Sequence, residues 1–211
     1  MENTLDDFVK SIANQKPSPV IGLGSGMAAY KVARALGMEF KKLGIKPNAV
    51  ASSSQIKFLV SDYYTIIEPP MYGIDIVIDG ADEVSSTNNY IIKGGGGALT
   101  RERIIWEMAH ERHVFITREK ISRKLVHPLP VEVIPFAINL VQRKLDSLGL
   151  KWQLRKDQKG YPLFTENGNT IIDVTYSDQD DLRPVYEKVR LLPGVVDAGL
   201  FIYDVHLHII Q

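Results

Sequence analysis

Acidic residues and a lysine occur close together in two segments in the middle of the chain. The first is an apolar run over residues 74–78 that leads into Asp79 and continues to Asp82. The second begins with Lys93, continues with a run of glycines and reaches Glu102. A carboxylate can transfer a proton, while an ammonium group and free backbone N–H groups can stabilise an oxyanion. The two segments therefore predict proton-transfer chemistry on a small anionic substrate.

Each of these side chains also has an ordinary structural interpretation. Asp79 would cap a turn, Asp82 and Glu83 would be solvated, and Glu102 would be a solvated acid at a helix start, where negative charge is favourable. A catalytic role for these residues is favoured by the run Gly94–Gly97, because glycine leaves backbone amides accessible to a substrate. It is also favoured by the position of Asp79 at a strand's carboxyl end, where open α/β sheets bind ligands.

A third candidate segment is Gly22-Leu-Gly-Ser-Gly26, which follows a predicted strand and opens a predicted helix. The unpaired N–H groups of a helix N-terminus can hold a phosphate. The segment is not a dinucleotide fingerprint, because Met27 stands where the third glycine would be and Ser52–Ser54 follow the second strand instead of an acid. Anion binding and tight strand–helix packing both stay open for this segment.

Alternating strands and helices must position these residues. Over residues 20–120 the alternation predicts a parallel α/β sheet. The expected strands are 20–23, 49–51, 65–67, 74–78 and 114–116, and the expected helices are 27–43, 56–60 and 99–109, the last with Ile104, Ile105 and Met108 inward.

The pattern changes after Pro128, where strands and helices follow the order of a split βαβ unit. We therefore expect an α/β fold: a Rossmann-like parallel-sheet catalytic domain over 1–127 plus about 201–211, and a smaller α+β, ferredoxin-like domain over about 128–200. The expected strands of the second domain are 131–134, 152–155, 163–165, 171–176 and 195–203, its helices are 135–148 and 182–191, and a last strand is expected over 205–210.

Composition excludes several functional classes. The 211 residues include no cysteine, which excludes disulfides, thiolate catalysis and cysteine-based zinc sites. The 25 basic and 25 acidic residues balance, which gives no reason to expect a nucleic-acid partner. No apolar run approaches the ~20 residues that span a bilayer, and the acidic N-terminus lacks a signal pattern. We expect a soluble cytoplasmic protein.

The histidines form two pairs that predict little. His110 and His113 have helical spacing, and His206 and His208 share one face of a strand. Neither pair has a further ligand in its sequence pattern, so we expect no metal site.

Taken together, the motifs resemble a known family. Gly-Leu-Gly-Ser-Gly, Asp-Gly-Ala-Asp-Glu and Lys-Gly-Gly-Gly-Gly-Ala-Leu-Thr-Arg-Glu, in this order and spacing, closely resemble the signature of ribose-5-phosphate isomerase, type A. Segments 129–135, 166–169 and 192–201 are also similar to that family. The resemblance covers nearly the whole chain.

The resemblance implies interconversion of ribose 5-phosphate and ribulose 5-phosphate without a metal or organic cofactor. Glu102 would move a proton between C2 and C1, and Lys93 with the adjacent glycine amides would stabilise the enediolate. Asp79 and Asp82 would bind sugar oxygens and assist ring opening. A homodimer or homotetramer is implied as well. The expected substrate-binding residues are Ser25, Gly26, Met27, Ala28, Gly80, Ala81, Gly94, Gly95, Gly96 and Lys120.

The chain departs from the family pattern at several positions. The family usually has hydroxyl residues where this chain has Met27 and Ala28, and its usual acid ahead of the Lys120 position is replaced by Thr117-Arg118. Lys10 is a candidate for an N-terminal lysine that some members use. Two other functions stay open: a non-catalytic sugar-phosphate sensor, favoured by the missing hydroxyls, and an isomerase or deaminase that acts on a different sugar phosphate.

Overall fold

The structure is a computed structural model that describes residues 5–15, 18–176 and 181–210. The first four residues of the acidic N-terminus discussed above lie outside this part of the chain. Internal contacts divide the chain into two compact units. The first unit consists of Met1–Gly80, Arg101–Arg118 and Asp204–Gln211, and the second of Ala81–Thr100 and Glu119–Tyr203.

The helices and strands of the described residues are numbered in chain order. The helices are α1 Leu5–Gln15, α2 Met27–Lys42, α3 Ser54–Val60, α4 Leu99–Met108, α5 Ile138–Ser147 and α6 Arg183–Arg190. The strands are β1 Val20–Leu23, β2 Asn48–Ala51, β3 Thr65–Ile66, β4 Ile74–Asp79, β5 Glu83–Ser85, β6 Tyr90–Ile92, β7 Ala109–Ile116, β8 Ile121–Ser122, β9 Leu129–Val133, β10 Lys151–Leu154, β11 Thr170–Thr175, β12 Val195–Ala198, β13 Leu200–Ile202 and β14 His206–Ile209.

The first unit contains a six-stranded parallel sheet in the order β14-β7-β4-β1-β2-β3. Its central strands β1 and β4 are almost continuously apolar, as strands covered on both faces require. Ile76 and Ile78 of β4 pack in a core with α1 and α2, while Val77 faces the other way. The predicted parallel α/β sheet is confirmed.

Helix α1 was not assigned from the sequence. It nevertheless has helical apolar spacing, with Phe8, Val9 and Ile12 buried in the core of the first unit. Helix α2 follows the prediction closely and ends at Lys42, after which Gly44 adopts a φ of 72°. A positive φ is the usual conformation of a glycine just beyond a helix C-terminus.

The second unit contains two four-stranded sheets. The sheet β10-β11-β9-β12 is antiparallel throughout, and with α5 and α6 it has the chain order β-α-β-β-α-β of the expected ferredoxin-like arrangement. Its core includes Val131, Leu145, Ile172 and Val189. The other sheet, β13-β6-β5-β8, was not predicted, because each of its four strands has only two or three residues.

The structure corrects several predicted elements. The strand expected over 195–203 divides at Gly199 into β12 and β13, which belong to different sheets. The strand expected over 163–165 is reduced to an isolated bridge between Phe164 and Thr170. Helix α4 stops at Met108, and residues 109–116 form a strand, so His110 and His113 do not have helical spacing.

The two units also differ from the predicted division. Residues 81–100 and 119–127 lie in the second unit, because β5, β6 and β8 pair with one another and with β13. The units are sets of contacting segments, so the predicted domain boundaries stay a prediction. None of the described helices is long and apolar enough to cross a membrane.

Candidate active site

Asp79 is the last residue of β4 and is completely buried in the first unit. One carboxylate oxygen, Oδ1, accepts a hydrogen bond of 2.7 Å from the backbone N–H of Gly80. The other, Oδ2, accepts a hydrogen bond of 2.8 Å from the indole Nε1 of Trp106 on α4. Because each oxygen has a rigid donor, the orientation of this carboxylate is fixed.

The chain that leaves β1 passes directly against the Asp79 carboxylate. The backbone N–H of Gly24 donates to the carbonyl of Ile78 over 2.9 Å, which holds Gly24 at this place. A Cβ atom at position 24 would lie 1.8 Å from Asp79 Oδ1, so any side chain there would displace the acid. The Gly-Ser-Gly turn therefore serves close approach at Gly24.

Glu102 lies in the first turn of α4 and is only 4% exposed. Its Oε1 accepts a hydrogen bond of 3.2 Å from the backbone N–H of Ser25. The Ser25 hydroxyl in turn lies 2.8 Å from the Ser52 hydroxyl and donates to the Ser53 hydroxyl over 3.0 Å. The structure thus brings together the predicted base Glu102, the predicted substrate contact Ser25 and the serines that follow β2.

Gly26 and Met27 lie at the start of α2. Gly26 is the N-cap residue of α2 and has a φ of 106°. Because glycine has no side chain, it cannot accept a hydrogen bond from the first backbone N–H groups of α2. Met27 is 65% exposed. Both residues line a partly open surface pocket, together with Tyr30, Gln55, Ile56 and Leu59.

Ala28 and Gly80 approach each other in the first unit. A Cβ atom on Gly80 would lie 3.9 Å from the Cβ of Ala28 and 3.7 Å from the carbonyl oxygen of Phe115, which is ordinary contact. Position 28 therefore lies next to the turn that follows Asp79, and alanine provides no hydroxyl there.

In the second unit, the glycine run is bound to Asp82. The backbone N–H of Gly95 donates to Asp82 Oδ2 over 2.7 Å, and a Cβ atom on Gly95 would lie 2.5 Å from Asp82 Oδ1. Gly94 and Gly97 have φ values of 110° and 78°, which favour glycine. Gly96 is exposed, and a Cβ atom there would contact nothing within 4 Å.

Lys93 follows β6 and is only 3% exposed. Its backbone N–H donates to the carbonyl of Gly199 over 2.9 Å, and its Nζ lies 5.8 Å from the centre of the Phe201 ring. An ammonium group within about 6 Å of an aromatic ring is attracted to the face of the ring. The backbone and the side chain of the lysine are thus both positioned by the segment 199–201.

Lys120, the predicted substrate-binding lysine, is half-buried in the second unit. Its Nζ donates to the carbonyl of Ala81 over 2.7 Å. Two of the predicted substrate-binding residues are therefore in direct contact. Lys10, the other candidate lysine, is exposed on α1 of the first unit.

Sequence reasoning missed the residues that support the candidate site. Arg155, just after β10, donates from Nη1 to the carbonyls of Gly94, over 2.5 Å, and Gly95, over 3.1 Å. Its guanidinium also forms an ion pair with Asp173, in which Nε lies 2.8 Å from Oδ2. By holding carbonyl oxygens, Arg155 fixes the backbone of the glycine run. No local pattern around Arg155 indicates this contact.

Glu132 of β9 is a second residue that the sequence did not single out. It is completely buried, and its carboxylate accepts hydrogen bonds from several side chains of the second unit. Its partners are Thr100 at 2.5 Å, Thr165 at 2.8 Å, Asn169 at 2.8 Å and Asn167 at 3.1 Å. This network links segments 129–135 and 166–169, which are both similar to the family, through Asn167 and Asn169.

Three residues differ from their expected surroundings. Glu83, for which a solvated position was considered, is buried and accepts hydrogen bonds of 2.8 Å from the backbone N–H groups of Val126 and His127. Arg103 flanks Glu102, and the sequence favours a surface ion-pair position for it, but it is buried. Ile104, expected to face inward, is 48% exposed.

Comparison with known proteins identifies the family. Residues 48–211 match the protein-family profile described as ribose 5-phosphate isomerase A (phosphoriboisomerase A). The chain belongs to this family. It is 38% identical to ribose-5-phosphate isomerase A of Methanocaldococcus jannaschii over 190 residues, which cover 88% of this chain and 84% of the relative. It is 36% identical to the Listeria monocytogenes protein of that name, covering 91% of this chain and 86% of the relative.

Solved structures of the family have the same fold. The structure of the Methanocaldococcus jannaschii isomerase matches with a TM-score of 0.85 at 36% identity, covering 94% of this chain and 90% of that chain. A D-ribose-5-phosphate isomerase in complex with phospho-erythronic acid matches with a TM-score of 0.83 at 33% identity, covering 94% and 89%. The expected α/β fold is therefore confirmed.

Proposed function

We propose that the protein is an aldose–ketose isomerase that interconverts D-ribose 5-phosphate and D-ribulose 5-phosphate, a reaction of the non-oxidative pentose phosphate pathway. Family membership supports this activity. The observation that carries the proposal is the buried carboxylate of Glu102, which the backbone N–H of Ser25 holds at 3.2 Å. The phospho-erythronic acid in a related structure supports a sugar phosphate as the substrate.

In the proposed reaction, Glu102 removes the proton from C2 of the open-chain aldose. The electron pair of the C2–H bond forms a double bond between C1 and C2, and the C1 oxygen becomes negatively charged. The C2 hydroxyl proton passes to the C1 oxygen, Glu102 returns its proton to C1, and the C2 carbonyl forms. A single positioned carboxylate can act as base and then as acid in this sequence.

Lys93 stabilises the enediolate in this proposal, together with the amides of Gly94 and Gly96, while the Gly95 amide holds Asp82. Its low exposure matters because charges interact more strongly where water is excluded. Asp79 and Asp82 bind sugar hydroxyls and assist ring opening. Both acids accept hydrogen bonds from backbone N–H groups, which holds them in place for this role.

The remaining predicted contacts bind substrate in this proposal. Amides at the start of α2 suit an anionic group, since the N-terminus of a helix carries unpaired donors and partial positive charge. Backbone amides serve this purpose whatever side chains stand at Met27 and Ala28. The residues assigned to substrate binding are Ser25, Gly26, Met27, Ala28, Gly80, Ala81, Gly94, Gly95, Gly96 and Lys120.

Substitution of the base tests the proposal. In Glu102→Gln the amide cannot accept the C2 proton, so we expect kcat to fall by about 10²–10⁴-fold while ribose 5-phosphate still binds. The matched control is Glu107→Gln, an exposed acid on the same helix, which should keep normal turnover. Turnover of Glu102→Gln near that of the unmodified protein would contradict the assignment.

Isotope incorporation tests the enediolate itself. When the reaction runs in D₂O, a base that exchanges its proton with solvent places deuterium at C1 of the ketose, and mass spectrometry or NMR detects it. Ketose without any deuterium would argue against a solvent-exchanging base. The same assay run with other aldose phosphates measures substrate preference.

A sugar-phosphate sensor is the second candidate, and the missing hydroxyls at Met27 and Ala28 favour it. Binding of ribose 5-phosphate without any ketose formed would support the sensor and contradict the isomerase. The presence of a base favours the isomerase, because binding alone does not need one.

Location in the cytoplasm and assembly into a homodimer or homotetramer are further proposals from the family resemblance, and light scattering measures the assembly.

A further inference from the structure

Three side chains with metal-binding atoms meet on the face of the six-stranded sheet that packs against α1. Glu111 and His113 are two residues apart on β7 and therefore share this face. His206 of β14 is paired in register with His113 on the neighbouring parallel strand. The ligand atoms of the three side chains lie within 4.8 Å of one another. All three residues lie on two adjacent strands, and none of them belongs to a loop.

We propose that Glu111, His113 and His206 bind a divalent first-row transition metal ion, with zinc as the representative ion. Two imidazoles and a carboxylate are a common protein ligand set for zinc. Imidazole also disfavours magnesium and calcium, which prefer oxygen ligands. Because Glu111 and His206 are exposed, a fourth position stays open to water.

The geometry needs only small movements to accept the ion. Glu111 Oε2 and His113 Nε2 are 3.4 Å apart, which is about the separation of two ligands in a tetrahedral site with bonds of about 2.0–2.1 Å. The side chain of His113 is buried and stays in place, while those of Glu111 and His206 can rotate from the solvent side to close the remaining separations.

The surroundings of His113 orient its ring for this role. His113 Nδ1 lies 3.0 Å from His208 Nε2, and the Phe8 ring packs against His113 at a centroid distance of 4.9 Å. When Nδ1 donates its proton to His208, Nε2 presents its lone pair toward Glu111. A metal-binding histidine usually has its second nitrogen hydrogen-bonded in this way, which fixes the ring and the tautomer.

Metal binding would connect β14 to β7. Among the described residues, strand β14 forms one edge of the sheet and pairs with β7 alone, and edge strands are prone to local opening. An ion shared by His206 and the two β7 ligands would hold the two strands together. This site is independent of the proposed isomerase activity, since Asp79 lies on the opposite face of the sheet with Trp106.

Calorimetric titration of tag-free, chelator-treated full-length protein with zinc chloride tests the proposal. We expect one zinc ion per chain, and His206→Ala and Glu111→Gln should each raise the Kd by at least about tenfold, because even indirect supports of a metal ligand contribute about 10–100-fold. His110→Ala is the matched control: it removes an exposed histidine of the same strand that points to the other face. It should leave the Kd unchanged.

Hydrogen exchange provides a second readout that does not depend on the variants. Zinc should slow exchange of the backbone amides of residues 206–209 in the unmodified protein and should not do so in His206→Ala. Magnesium chloride in place of zinc should give no saturable binding. The proposal is overturned if zinc does not saturate at one ion per chain, if His110→Ala weakens binding as much as His206→Ala does, or if exchange in β14 is unchanged.

Discussion

The two faces of the six-stranded sheet hold their polar groups in different ways. On the face that carries Trp106, Asp79 is fully buried and both its oxygens are held by rigid donors. On the face that packs against α1, His113 is buried, while Glu111 and His206 reach solvent. The difference suggests different uses: fixed geometry suits a reacting group, and side chains that can rotate suit the capture of an ion.

Gly24→Ala should give the largest effect on the Trp106 face. The new Cβ would lie 1.8 Å from Asp79 Oδ1, so the carboxylate must shift by a substantial part of an ångström. A misplacement of about 1 Å can cost about 10²-fold, and we expect kcat/KM for ribose 5-phosphate to fall by at least that factor. Steady-state kinetics measure it.

The control for this variant is Gly44→Asn, at a glycine with a φ of 72° and open space around its Cβ. Asparagine tolerates this conformation, so activity should be normal. If Gly24→Ala retained full activity with a native circular dichroism spectrum, the fixed position of Asp79 would not matter for function.

Trp106→Phe should destabilise the fold, since it removes the Nε1 donor from a buried carboxylate. A hydrogen bond to a charged group contributes about 1.5–3 kcal/mol, and we expect a loss of about 2 kcal/mol in the free energy of unfolding. Trp152→Phe is the matched control, because its Nε1 donates to Asp146 over 2.8 Å at an exposed site. Equal losses in urea unfolding for both variants would refute the special importance of the buried bond.

Restoring a hydroxyl beside the candidate site should have a smaller effect. Met27→Ser places a hydroxyl at the start of α2, where the resemblance predicts one. One added hydrogen bond contributes about 0.5–1.5 kcal/mol, so KM for ribose 5-phosphate should fall by about 2–10-fold. Met38→Ser, on an exposed part of the same helix, is the control and should leave KM unchanged. An unchanged KM in Met27→Ser would mean that position 27 does not contact substrate.

The α1 face should make stability depend on pH in the metal-free protein. Burial, with added repulsion from His113 and His206, lowers the pKa of His208 to about 4, and burial also lowers the pKa of His113. The unfolded chain therefore binds more protons than the folded protein between about pH 6.5 and 4. Stability from these groups is complete above pH 6.5 and is lost as the pH falls toward 4.

Urea unfolding at pH 7 and pH 5 in the presence of a chelator measures this loss. His208→Phe should lose less stability between the two pH values than the unmodified protein does, because it has no proton to gain at that position. An equal loss in both proteins would show that His208 does not contribute to the pH dependence.

The local patterns of the sequence predicted the elements that depend only on neighbouring residues. The apolar runs of β1 and β4 and the helix that begins at Met27 are patterns within a few residues, and they appear in the structure. The meeting of Ser25 with Glu102 follows from the position of both at the carboxyl edge of a parallel sheet, a rule of the fold class.

Elements that depend on distant partners were not predictable in this way. Strands β5, β6 and β8 are too short to show a period, and they exist because they pair with one another and with β13. Arg155 and Trp106 support the candidate site through contacts with residues far away in sequence. The histidine cluster was missed because β7 follows α4 directly, and the predicted strand 114–116 did not extend back to His110 and His113, which were paired by helical spacing instead.

Gly199 joins two of the regions described above. Its carbonyl accepts from the Lys93 N–H, its own N–H donates to the Pro130 carbonyl over 2.7 Å, and a Cβ atom there would lie 2.1 Å from the Lys93 carbonyl oxygen. A substitution of Gly199 would thus displace Lys93 and have the same effect as a substitution of the lysine itself, although glycine carries no reactive group. A geneticist who found inactive alleles at both codons would be observing one defect by two routes.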